Sequence, residues 1–326
     1  MTATFHNPIV RNAADPWLLK HSDGFYYFMS TQFGCLEITK SASMTRIAAG
    51  AKKKVWIPEE NGPYSHNLWA PELHWLQGKW YIYYTANDGG GDESRTICVL
   101  ENGEADPMEG EWIWKGVLDT PLPGLDGTVM ELDGRLYFMY AGYGRYPDYG
   151  SAIFIVRMDN PWTLALDGGH VLLTAPTLEW EKQGGMAINE GPVILRRNGF
   201  IFLVYSASTT WSEDYALGML TMKEGDDPMD AASWSKSAEP VFRKSTENRV
   251  YATGHNSFTM SPDGTEDWIV YHALPEPGAD TGLRSTRIQR FGWKPDGTPD
   301  FGVPLSDEHE IQRPSGEKNE LSVAGE

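Results

Sequence analysis

Five segments of the chain repeat one pattern, a glycine-containing turn followed by an aromatic-rich strand. They read HSDGFYYFMSTQ (21–32), LQGKWYIYYTAN (76–87), LDGRLYFMYAGY (132–143), RNGFIFLVYSAS (197–208) and DGTEDWIVYHAL (263–274). Their turn glycines, Gly24, Gly78, Gly134, Gly199 and Gly264, are spaced 54, 56, 65 and 65 residues apart. Self-similarity at that period signals a propeller or an array of units, because one such hairpin cannot bury its apolar faces alone and must pack against its neighbours. The fourth copy shows the local logic: Val193 to Ala207 is strand-forming throughout except for Arg196-Arg197-Asn198-Gly199, and Asn-Gly is a strong hairpin-turn signal.

Counting nine residues back from each glycine gives Asp15, Trp69, Leu125, Glu190 and His255, with Asp126 following Leu125. Four of the five repeats therefore carry a titratable side chain eight or nine residues before the turn. A single carboxylate ahead of a hairpin is commonly a local cap, satisfying nearby backbone N–H groups. Four in register suggest something else. The innermost strands of a propeller line one axis, so equivalent positions of successive blades converge although they are distant in sequence. On that reading Asp15, Asp126, Glu190 and His255 face one another at the mouth of a channel.

Composition is compatible with this. The 326 residues contain short alternating strands bounded by Gly, Pro, Asn and Asp, little helical periodicity and no dividing linker, so an all-β chain forming a single domain is expected, with a short C-terminal tail from about residue 306. Thirteen Trp, fifteen Tyr and twelve Phe exceed what strand cores need, and flat apolar rings suit stacking on sugars. A net charge of −18 disfavours nucleic acid or an anionic membrane as partner. Two cysteines, Cys35 and Cys98, are too few for a disulfide framework. No apolar stretch is long enough to span a bilayer, and MTATFHNPIV lacks the charged and apolar regions of a signal peptide, so a cytoplasmic location is expected, although a chain whose signal had been removed would look similar.

The segments NPIVRNAADPWLL, HNLWAPELHWLQGKWYIYYTA, GLDGTVMELDGRLYFMYAG, INEGPVILRRNGFIFLVYSAS and GHNSFTMSPDGTEDWIVYHA together resemble glycoside hydrolase family 43, which comprises α-L-arabinofuranosidases, β-xylosidases and arabinanases. The resemblance spans about residues 5 to 305. It implies a five-bladed β-propeller, with Asp15 of Ala-Asp-Pro as general base, Glu190 of Glu-Gly-Pro as general acid, and Asp126 as the third acid that modulates the pKa of Glu190 and orients it. It also implies that His255 is the channel histidine, which in many members binds a hydrated metal ion. One histidine cannot make a zinc site, but a hard cation such as Ca2+ could complete its shell with water; the alternative is a histidine hydrogen-bonded to the acids without a metal. No cofactor is implied for the chemistry itself.

Inverting hydrolysis of a glycoside needs one protonated carboxyl to reach the departing oxygen and one ionised carboxylate to deprotonate water on the opposite face, ~6.5–9.5 Å away. Glu190 must then titrate above the ordinary Glu value of roughly 4.3, raised by burial and by Asp126. Trp69, Trp17 and Phe33 are candidates for the walls of a sugar pocket, and Asn189 and Trp211 for further contacts. Glu72 of Trp-Ala-Pro-Glu reads as structural. A substrate-binding arginine falls at Arg284 or Arg287, with Arg287 favoured. The C-terminal segment RIQRFGWKPDGTPDFGVP resembles the arabinofuranosidase members more than the β-xylosidases. The expected activity is exo-acting removal of arabinose from arabinan or arabinoxylan fragments; a β-xylosidase or endo-arabinanase on the same machinery, and a non-catalytic sugar- or protein-binding propeller, are the alternatives.

Overall fold

In each repeat the turn glycine lies between the first two strands of an antiparallel sheet and takes a left-handed φ, between +73° and +87°. In three of them the preceding residue, Gln77, Asp133 or Asn198, is left-handed as well, which is the two-residue turn whose twist matches that of the flanking strands. The computed structural model describes residues 3–144 and 150–318. It is a ring of five such sheets, as expected.

Blade one comprises Trp17–Lys20, Tyr26–Met29, Leu36–Ser41 and Ala51–Trp56. Blade two comprises His66–Leu76, Lys79–Asn87, Thr96–Asn102 and Ile113–Val117. Blade three begins with Gly124–Leu132, Arg135–Tyr143 and Ser151–Asn160; its third strand then pairs with both Thr163–Leu164 and His170–Thr174, giving five strands rather than four. Blade four runs Asn189–Arg197, Phe200–Ala207, Ala216–Lys223 and Ser235–Lys236, and blade five Tyr251–Met260, Asp267–Leu274, Ser285–Trp293 and Pro299–Asp300.

The aromatic surplus goes between the blades. Tyr81 and Tyr83 of blade two pack with Phe138 and Tyr140 of blade three, Tyr137 and Met139 with Leu203 and Tyr205 of blade four, and Phe202 and Val204 with Tyr271 of blade five. Tyr27 meets Trp80 between blades one and two. The ring closes where Leu18, Tyr26 and Phe28 of blade one meet Trp268 and Ile288 of blade five, under Phe5 and Ile9 of the N-terminal segment. Truncating one of these rings to alanine costs about 3–5 kcal/mol where the site cannot collapse. A strap of Thr4–Phe5 paired with Ile311–Gln312 ties the two ends of the described chain. Cys35 and Cys98 are buried and free, and no helix among the described residues is long and apolar enough to cross a membrane.

Candidate active site

The chain kinks at the same place in every blade, within the innermost strand in blades two to five and just ahead of it in blade one. Asp15, Ala70, Asp126, Gly191 and His255 all adopt left-handed φ, between +44° and +56°, and in blades two to five the strand register slips beside this residue. The kink turns one backbone N–H per blade out of the ladder, and a buried donor needs a partner. In four blades the partner is a side chain near the end of the preceding blade's second strand: Thr31 Oγ1 accepts from Ala70 (2.9 Å), Thr85 Oγ1 from Asp126 (3.1 Å), Ser206 Oγ from His255 (2.7 Å) and His272 Nδ1 from Asp15 (3.1 Å). The equivalent residue in blade three is Ala141, which offers no acceptor. There the Gly191 N–H donates instead to Asp126 Oδ2, at 3.0 Å. This missing hydroxyl fixes the Asp126 carboxylate beside Glu190.

Asp15, Asp126 and His255 converge at the axis. The His255 Nδ1 lies 3.4 Å from Asp15 Oδ1 and 4.0 Å from Asp126 Oδ2. Two donors reach the Asp15 carboxylate: Arg284 donates to Oδ1 at 3.1 Å and Thr31 to Oδ2 at 2.5 Å, while His272 Nδ1, which accepts the Asp15 N–H, lies 3.3 Å from Oδ1. Burial by itself would push its carboxyl up, but the Arg284 guanidinium, then His255 and His272, hold it well below the usual carboxylate range. Burial depresses both histidines, His272 to about 4.

The other two carboxyls shift the opposite way. Burial, then the charge of Glu190, then that of Asp15, raise Asp126 well above the ordinary value. Glu190 is pushed up to about 7, by burial first and by Asp15; a hydrogen bond of 2.7 Å from Tyr215 and the guanidinium groups of Arg284 and Arg95 act against this. The mouth of the axis thus holds one carboxylate that stays ionised and two carboxyls that oppose each other's ionisation. Asp15 is the charge that raises Glu190, and Glu190 and then Asp15 raise Asp126.

Residues 5–299 match the model of glycosyl hydrolases family 43. The chain belongs to this family. It is 37% identical over 316 residues to an extracellular exo-α-(1→5)-L-arabinofuranosidase of Streptomyces avermitilis, a match covering 94% of this chain and 65% of that protein. It is 38% identical over 275 residues to a protein of the same name from Streptomyces chartreusis, covering 83% of each. The crystal structure of an α-L-arabinofuranosidase from Lactobacillus brevis superposes with a TM-score of 0.88 at 37% identity, covering 94% of this chain and 98% of that one. The chain spans just under two thirds of the Streptomyces avermitilis protein's length.

Within this family 43 site, several residues expected from sequence turn out to be placed elsewhere. Arg287 does not face the carboxylates: it pairs with Asp307 at 2.7 Å and donates to the Leu305 carbonyl, because it lies in the blade-five strand Ser285–Trp293. Arg284, at the end of the preceding loop, reaches Asp15 and is braced by Thr210 Oγ1 at 3.0 Å. Asn189 is fully buried and bonded to Glu181 and Ile188, so it supports the strand and has no surface to offer a ligand. Trp17 packs on the His74 ring at 4.8 Å and donates to Leu73, which makes it part of the seam between blades one and two. Glu72 is structural as expected, paired with His74 at 2.8 Å.

Trp69 is half-buried in the innermost strand of blade two, with the Arg95 guanidinium 4.0 Å from its ring centroid. Phe33 and Trp211 project from the loops that follow the second strands of blades one and four, 86% and 53% exposed. Arg95 and Tyr215 were not singled out from sequence. Both lie on or beside connections that only the closed ring brings to the axis. Among the described residues no group of three or more His, Cys, Asp or Glu side chains is arranged to hold a metal ion. His255 is directed at two carboxylates, and one imidazole is a poor match for a Ca2+ shell of six to eight oxygens. No chemical step is assigned to a metal.

Proposed function

We propose that the chain is an inverting glycoside hydrolase acting as an exo-α-L-arabinofuranosidase, with Asp15 as general base, Glu190 as general acid and Asp126 orienting Glu190 and raising its pKa. The observation that carries this reading is the contrast between carboxyls sharing one axis: Asp15 accepts from the Arg284 guanidinium at 3.1 Å and from Thr31, surroundings that favour its ionised form, while burial and the charge of Asp15 push Glu190 up to about 7. Such a division is what acid–base hydrolysis requires. Water on one face of the sugar gives its proton to Asp15 while its oxygen bonds to the anomeric carbon. The glycosidic bond breaks, and its oxygen takes the proton of Glu190. No cofactor enters this sequence. Names borne by the Streptomyces and Lactobacillus relatives support arabinose as the sugar removed.

Side-by-side incubation with 4-nitrophenyl α-L-arabinofuranoside, 4-nitrophenyl β-D-xyloside and debranched arabinan tests the reading. Release from the arabinofuranoside, with single arabinose units and no internal cleavage of arabinan, is the expected outcome. Turnover of the xyloside alone, or fragmentation of the polymer, would replace it by the β-xylosidase or the endo-acting alternative. The two Streptomyces relatives are named extracellular, which stands against the cytoplasmic placement read from the first ten residues; assaying cells and culture medium of the source organism separately decides between them.

A further inference from the structure

Tyr215 is wholly buried and donates to Glu190 Oε1 at 2.7 Å. Its ring is stacked on His272 with centroids 5.7 Å apart and planes within 10°, and His272 in turn stacks on His255 at 6.0 Å. The opposite wall is Gly254, where an added Cβ would fall 2.2 Å from the Tyr215 ring. The ring therefore sits in a slot that admits no side chain, between the strand carrying His255 and an imidazole that touches Asp15.

The direction of the hydrogen bond is fixed by the neighbours. The backbone N–H of His255 can only donate, so Ser206 Oγ accepts from it, at 2.7 Å. The Ser206 hydroxyl keeps its hydrogen to give and favours the ionised form of Tyr215, so it acts on the phenol oxygen as a donor. A phenol has one hydrogen to give, and that of Tyr215 goes to Glu190 Oε1. A protonated Glu190 with one oxygen already accepting carries its own proton on the other oxygen, Oε2.

We infer that Tyr215 is a positioning residue that confines the proton of Glu190 to Oε2, the oxygen free to meet a departing glycosidic oxygen. The inference rests on the acid role proposed for Glu190. When the Oε2–H bond breaks and the proton passes to the leaving oxygen, negative charge grows on the carboxylate, and the phenol's bond to Oε1 becomes charge-assisted and stronger. An interaction that strengthens on the way to the transition state raises turnover rather than binding. The other charged or titratable groups acting on this carboxyl are Asp126, Asp15, Arg284, Arg95 and Tyr143, and none of them is altered by removing the phenol oxygen.

Tyr215→Phe keeps the stacked ring and deletes only the donor. Its kcat on arabino-oligosaccharides should fall about tenfold, the scale of one hydrogen bond to a charged group. On 4-nitrophenyl arabinofuranoside, whose leaving group needs little protonation, kcat should change less than about twofold, with KM unaltered on both. A uniform loss on all leaving groups, or no loss on any, overturns the inference. An infrared measurement at about pH 5, below the Glu190 titration, needs no substrate. The carbonyl stretch of protonated Glu190, identified as the band missing in Glu190→Gln, should move to higher wavenumber in Tyr215→Phe, and an unmoved band overturns the inference. If the wild type hydrolyses no arabinofuranoside while the band still shifts, the enzymatic reading fails and the proton placement stands.

Discussion

The two sides of the axis mouth both hold carboxyls that burial pushes toward the neutral form, yet they hold their protons in opposite ways. On the Asp15 side a guanidinium, a threonine hydroxyl and two imidazoles face the carboxylate. On the Glu190 side the neighbours are a second carboxyl, a backbone N–H given to that carboxyl, and a phenol. Burial pushes all three acids toward the neutral form, so burial does not distinguish base from acid. The partners do, and they come from different blades: Arg284 and His272 from blade five, Thr31 from blade one, Tyr215 from the edge of blade four.

The sharpest way to break this comparison is to remove the ionised side. Asp15→Asn should lower turnover by at least ~10²–10⁴-fold on every substrate, whatever its leaving group, since water is left without a base. Initial rates on aryl arabinofuranosides of graded leaving-group pKa check this, and activity retained on good leaving groups would exchange the two roles. Glu190→Gln should cause a loss of the same order on arabino-oligosaccharides but leave measurable hydrolysis of the aryl substrate. It should also abolish the fall in activity expected of the wild type as pH rises through about 7, because that fall would report deprotonation of Glu190.

Two smaller perturbations sharpen the comparison. Activity requires Asp15 ionised, so the acidic limb of the profile lies where Asp15 takes up a proton. Arg284→Leu should move that limb upward by ~1–3 pH units, the usual effect of an adjacent arginine on an aspartate. Arg287→Leu, by contrast, should leave the profile in place. Asp126→Asn should move the basic limb downward only slightly, and by less than the Arg284 shift, because burial and Asp15 hold Glu190 up. A basic limb that rises or stays fixed in this variant would confine Asp126 to orientation through the Gly191 N–H.

Much of the ring was legible in the chain. Turn glycines and aromatic strands recur because each blade solves the same packing problem, and Asp15, Asp126 and His255 fall at one register because the innermost strands share one kink, with Glu190 one residue before it at Gly191. A trace of the kink itself was visible in Ala-Asp-Pro, Trp-Ala-Pro and Glu-Gly-Pro, each with the residue after the left-handed one a proline. The row of acceptors was visible too: Thr31, Thr85, Ala141 and Ser206 all stand seven residues after their turn glycines, and the alanine marks the one blade where Asp126 must accept instead.

Arg284, Arg95 and Tyr215 were not legible in the same way, and Arg287 and Asn189 were misplaced. Arg284 and Arg287 differ by three residues, and which one reaches the axis depends on where the last loop of blade five ends and its third strand begins. Tyr215 sits 25 residues beyond Glu190 and has no counterpart in the other repeats. By itself the sequence determined which strands repeat and which acids share a level, since both follow from local turn geometry and periodic burial. Only the tertiary structure decided which of those acids is charged, because the groups that set each proton's energy arrive from neighbouring blades and loops, and electrostatic interactions in a buried site depend on distance through space rather than along the chain.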